Sequence, residues 1–185
     1  MGDTIRFTTP DFAEMTADQK RAAQALIDSP RKGIRGPFPL LLRRPAMADA
    51  TRLLGDCIRY NSSLSDAVRE LAILIVVRHW NVDAEWASHK KIALEAGLPE
   101  ALLSELEKGK RPGGMSAEHE IIYDAVSELM ARRELSDPTY KKALEAFGEI
   151  GVVDLIGAVG YYTYVALIMN GAANPLPAGV ARLPR

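Results

Sequence analysis

The stretch ELAILIVVRHWNVDAEWASHKKIALEAG, Glu70 to Gly97, decides the fold. Leu71 to Val77 is apolar on nearly every side, as a central packed helix requires. Asn81 marks a short break and a candidate cap. Helical apolar spacing then runs to Glu95, and Gly97 supplies a left-handed stop. Inside this stretch, Glu85-Trp86-Ala87-Ser88-His89 puts a carboxylate and an imidazole four residues apart. An i, i+4 pair shares one helix face. A carboxylate beside an imidazole is the minimum equipment for moving protons. With Asn81 as cap, Glu85 falls in the first turns, where the helix dipole favours its ionised form. Glu70 lies near the start of the preceding helix. In a hairpin of the two helices His89 is a more natural neighbour for it than Glu85, and the sequence leaves the contact itself open.

Helical signals continue outward in both directions. Thr16 caps a helix to Ser29, stopped by Pro30. Arg31 to Pro39 is a Gly/Pro loop, and Leu40-Leu41-Leu42 a short apolar turn. Pro45 opens a helix to about Tyr60. Asn61-Ser62-Ser63 is a turn, with Ser63 or Ser65 as cap for the helix running to Trp80. Pro99 opens a short helix that fades at Gly109, and Arg111 to Gly114 is a loop. Ser116 caps a helix with Glu118 and Glu120 in its first turn. Asp137-Pro138 reads as N-cap and first residue of the next helix. A long apolar helix closes the series, and the Pro-rich tail, 174–185, is expected to be extended. No alternating strand pattern of useful length occurs. The expected fold is all-α, an antiparallel helical bundle in a single domain, 1–185.

Composition narrows the function classes. The 185 residues are 48% hydrophobic and 25% charged, the balance of a soluble globule. A formal net charge of -1 argues against a chain built to hold nucleic acid or acidic lipid. The single cysteine, Cys57, excludes an intramolecular disulfide and any Cys-x-x-Cys pair. Met1 to Thr9 has no basic start followed by an apolar block, so a cytoplasmic location is expected. Gly151 to Gly171 carries only Asp154 as an ionisable group at neutral pH. Its wholly apolar runs are short and its tyrosines fall mid-segment. It reads as a buried core helix, or one shared between subunits, rather than a membrane span.

Each candidate side chain also has a plainer reading. A Glu/His pair at helical spacing is usually a solvated surface pair. His79 suits a helix end, and His119 an exposed helix start. Cys57 reads as a buried inert thiol. Glu85 and His89 supply two metal ligands without a recognisable third, so no metal is expected. Tyr161, Tyr162 and Tyr164 suit core packing, with one hydroxyl able to reach a pocket. Gly157 and Gly160 suit close helix approach. Arg35, Arg43, Arg44 and Arg78 can clamp a carboxylate or serve as surface and cap residues. Of these groups, Arg78, Arg35 and Tyr164 are the substrate-binding candidates.

Gly36-Pro37-Phe38, Pro45, Leu64 with Arg69-Glu70-Leu71-Ala72-Ile73-Leu74, and Glu85-Trp86 with His89, Ala93 and Ala96-Gly97-Leu98 follow one another in an informative order. In that order they resemble the carboxymuconolactone decarboxylase family, of the superfamily that includes the alkylhydroperoxidase D proteins. The resemblance covers residues 35–110 and continues more weakly through the last helix at Tyr164 and Asn170. In the peroxidase branch, aligning His89 places Glu70 on the branch glutamate and Val82 and Glu85 on its two cysteines. Both thiols needed for dithiol peroxide reduction are therefore missing. The decarboxylase branch resembles Glu-x-x-x-His, as Glu85 and His89 stand here. It implies decarboxylation of a small carboxylated lactone without metal or organic cofactor; on that hypothesis His89 transfers the proton, Glu85 orients it or relays protons, and Glu70 is a second candidate with a structural role as its alternative. It also implies a homo-oligomer, a trimer or hexamer. Peroxidase-type antioxidant activity and a non-catalytic helical oligomer that binds a small acid are the alternatives.

Overall fold

The structure, a computed structural model, describes residues 6–173, 176 and 178–185. Residues 1–5 of the segment read for a leader, and Asn174, Pro175 and Pro177 of the tail, lie outside the described residues. The described residues form eight helices and no strand. They are α1 (Ala17–Asp28), α2 (Phe38–Leu41), α3 (Pro45–Tyr60), α4 (Asp66–His79), α5 (Asp83–Glu95), α6 (Glu100–Glu107), α7 (Ala117–Arg132) and α8 (Asp137–Ala172).

Local chemistry sets most boundaries. Thr16 caps α1 in a reciprocal box with Gln19, each side chain accepting from the other's backbone N–H. Ser65 accepts from the Val68 N–H at the start of α4, and Ser116 from the His119 N–H at the start of α7. Asn81 is not a cap. It takes a left-handed φ of 51° in the α4–α5 turn, and Val82 holds the N-cap position of α5. Asn tolerates that conformation better than most residues. The N-cap of α8 is Ser136, one residue before the expected Asp137.

Helix α4 is the axis of the molecule. Val68 to Val77 is buried without a break, and α4 packs against α5, α7 and α8. Two apolar clusters result. The larger surrounds α4, and the smaller gathers Leu26, Phe38, Leu42 and Ala48 where α1, α2 and α3 meet.

Helix α8 is two helical runs broken at Gly148, where φ is 67° and ψ 178°. By length and composition it is the one described helix able to cross a membrane, yet half of its most apolar window is buried against the protein. It is not buried all round: Ile150, Val153 and Leu167 are 71%, 67% and 54% exposed. Gly157 and Gly160 face open space, since a Cβ at either would meet nothing within 4 Å. They permit no close approach within this chain. Cys57 is exposed, not buried. The buried face of α3 is Ala48, Thr51, Gly55 and Ile58, and residue 57 turns away from it.

Candidate functional site

Glu70 comes from the first turns of α4 and is 1% exposed. A carboxylate that deep needs partners, because burying an unpaired charge is costly. Its Oε2 lies 2.6 Å from His89 Nδ1, and its Oε1 lies 3.6 Å from Arg69 Nε. Arg69 in turn pairs with Asp66 at 2.8 Å. His89, 3% exposed on α5, meets the Tyr162 ring edge-on at 5.0 Å. Its Nε2 lies 3.7 Å from Glu85 Oε2, too long for a direct hydrogen bond. As a carboxylate, Glu70 can only accept, so Nδ1 carries the hydrogen of this contact and Nε2 is left to face Glu85.

His89 and Glu85 line a cleft of about 820 Å³ where the two apolar clusters meet. Glu70 stands behind His89 and is not part of the wall. The loop at Gly36 closes over Glu85: a Cβ at Gly36 (φ 60°) would lie 3.0 Å from Glu85 Oε1. The rest of the wall includes Arg31, Arg35, Phe38, Arg59, Tyr60, Tyr161 and Tyr162. Thr8 and Val180 bring both terminal segments to it. Arg43 fixes the N-terminal one, donating to Thr8 O and Pro39 O and stacking on Phe7.

The tyrosines and Arg59 carry the electrostatic signature. Burial pushes the Tyr162 phenol well above its ordinary value, with Glu85 and Glu70 adding to the rise and Arg59 opposing it. Burial also raises Tyr161, against the pull of Arg31 and Arg59. Both phenols therefore stay protonated at neutral pH. For Arg59 burial works against the charge, but Tyr162, Tyr60, Glu70 and Glu85 together outweigh it and raise its pKa. Among the described residues, no group of three or more His, Cys, Asp or Glu side chains is placed to hold a metal ion.

The structure thus brings Glu70, Glu85 and His89 together and puts Arg35 on the cleft wall. Two expected binding residues lie elsewhere. Arg78 is turned to the far end of α4, where it donates to Glu107 O and Pro184 O and pairs with the Asn81 side chain. The Tyr164 hydroxyl is bonded to Thr51 Oγ1 at 3.2 Å, between α8 and α3. A tyrosine three residues earlier, Tyr161, takes the place expected of it, because the helix turns a different face to the cleft. Sequence reasoning missed Arg31 and Arg59. The available signal was Gly55, since a glycine in a helix interior costs about 1 kcal/mol against alanine and marks a close approach. A Cβ there would fall 2.3 Å from both Arg31 Nη2 and the Tyr161 hydroxyl. Comparison with protein-family models and with curated proteins finds no match to this chain.

Proposed function

We propose that the protein is an acid/base enzyme working without a cofactor on a small carboxylated lactone or related cyclic acid, in the manner of a gamma-carboxymuconolactone decarboxylase. The observation that carries the reading is the 2.6 Å contact between buried Glu70 and His89 Nδ1, with Nε2 turned to the cleft beside Glu85. Glu70 orients the imidazole and stabilises its protonated form, the role a buried carboxylate plays behind a catalytic histidine. Nε2 and Glu85 Oε2, 3.7 Å apart, are close enough to share one water or reacting atom placed to the cleft side of both.

In a decarboxylation the carbon–carboxylate bond breaks and carbon dioxide leaves. The electron pair passes into a dienolate whose oxygen needs a cation or hydrogen-bond donors. Protonated His89 then gives its Nε2 proton to carbon and is reprotonated from water, with Glu85 as relay. Reduction of peroxide by a thiol pair has no counterpart here, since Cys57 is the single cysteine and lies exposed on α3. A non-catalytic binding role predicts the same cleft without turnover.

The test is incubation with carboxylated lactones and cyclic enone acids in D2O, following carbon dioxide release and deuterium incorporation. Turnover that disappears in His89→Gln, with helicity by circular dichroism unchanged, supports the proposal. Undiminished turnover in that variant, or neither reaction in the wild type, overturns it.

A further inference from the structure

We infer that Arg59, backed by Tyr161 and Arg31, forms an anion subsite in the cleft that takes the carboxylate of a flat cyclic acid. The inference rests on the proposed reading for the identity of the cleft, and its test reads binding alone.

The arginines around the cleft differ in what already occupies them. Arg31 Nε is bonded to Asp56 Oδ1 at 3.1 Å, and Arg52 Nη1 takes the other oxygen of the same carboxylate at 3.2 Å. Two guanidinium groups thus share one carboxylate and leave a surplus positive charge. Arg31 is also held over the Phe38 ring at 5.2 Å, and its Nη2 is buried without a hydrogen-bond partner. It is a fixed positive wall rather than a mobile hook. Arg59 is the opposite case. Half-buried on the last turn of α3, it lines the cleft, yet among the described residues no carboxylate lies within 4 Å of it and it donates no hydrogen bond. Its guanidinium lies over the Tyr60 ring at 5.3 Å, a stacking contact that uses the face of the group and not its N–H fork. A planar fork of N–H donors matches the two oxygens of a carboxylate. The protonated Tyr161 hydroxyl adds a donor on the same wall.

Glu85 helps to raise the Arg59 pKa but forms no ion pair with it, standing instead 3.7 Å from His89 Nε2. The shape of the ligand follows from the remaining wall. Phe38, Tyr60, Tyr161 and Tyr162 present flat apolar surfaces, which favour a ring over a linear acid. The carboxylate is thereby set at the arginine wall and the ring lies toward His89.

The experiment is isothermal titration of the full chain with benzoate and with its neutral isostere benzamide. Benzoate is expected to bind saturably, and more tightly than benzamide. Arg59→Gln should weaken benzoate about tenfold, the range of a charged hydrogen-bonded contact, and leave benzamide unchanged. Arg59→Lys, which keeps the charge but loses the fork, should fall between. Because the titration reads binding and not turnover, failure of the subsite is distinct from failure of the proton-transfer reading. Equal affinity of the wild type for both ligands, no benzoate binding at all, or unchanged benzoate binding in Arg59→Gln overturns the inference. The wild-type comparison stands even where a variant fails to fold.

Discussion

At the residue scale, the central contact is one between two buried groups that each need the other. Removing Glu70 leaves His89 Nδ1 without its partner in a site 3% exposed. A buried unsatisfied donor costs about 1–3 kcal/mol, so Glu70→Ala should lower the unfolding free energy by at least that much, read from urea denaturation. Glu70→Gln keeps an acceptor and should cost less stability while still impairing turnover, because a neutral amide no longer stabilises an imidazolium. Equal stability losses in the two variants would show that the acceptor and volume kept by glutamine do not replace the carboxylate. Gly55 is the second residue of consequence. Any side chain there pushes on Arg31 and Tyr161 together, so one glycine sets the shape of one cleft wall.

At the element scale, two joints hold the helices in register. Asp154 on α8 accepts from the Ser63 N–H at 2.6 Å, from Ser63 Oγ at 2.8 Å and from Ser62 Oγ at 3.1 Å. This ties α8 to the turn that begins α4, the helix carrying Glu70. Burial works against the Asp154 charge, but the bonds from Ser63 and Ser62 outweigh it and hold its pKa below the ordinary aspartate value. A depressed folded-state pKa stabilises the fold above the unfolded-state value, and the contribution is lost as pH falls through the folded one. Asp154→Asn should therefore cost about 1–2 kcal/mol at neutral pH, allowing for partial exposure. The difference from wild type should shrink as melts are taken below about pH 4. A difference that is constant with pH would rule out the charge as its source. The other joint is Gly148, whose dihedrals only glycine adopts readily. Gly148→Ala should cost about 1–3 kcal/mol in a denaturation series.

At the scale of the whole molecule, Thr8 and Val180, far apart in the sequence, both line the cleft. Asp83, the first residue of α5, accepts from the Leu183 N–H at 2.9 Å and pairs with Arg185 at 3.3 Å. Leu183 is 3% exposed, and Val180 reaches the cleft wall. The described part of the tail is thus packed on its own chain. Leu183→Ala should destabilise by about 2 kcal/mol, the low end for a buried leucine because the chain end can collapse into the gap. Thermal unfolding checks this, and an unchanged midpoint would mean that the tail is not anchored through that side chain.

What the sequence determined by itself is local. The all-helical class, α3 from Pro45 to Tyr60, the caps at Thr16 and Ser116 and the stop at Gly97 all follow from residues within a turn or two of each boundary, while the structure chose Ser65 over Ser63 as the cap of α4. The i, i+4 proximity of Glu85 and His89 follows in the same way. Only the tertiary structure decided what lies across a helix interface. It joined Glu70 to a histidine 19 positions away, drew Arg59 and Tyr161 to one wall from α3 and α8, and turned Arg78 and Tyr164 elsewhere. The reason is rotational. Which face a helix shows to its neighbours depends on the packing of every element against it, and one residue of shift turns the face by about 100°. Apolar periodicity reports that angle clearly for α3, where the face of Ala48, Thr51, Gly55 and Ile58 excludes Cys57. It reports it poorly for α4 and for α8 beyond Gly148, which are apolar on nearly every side, and those helices carry Glu70, Tyr161 and Tyr162.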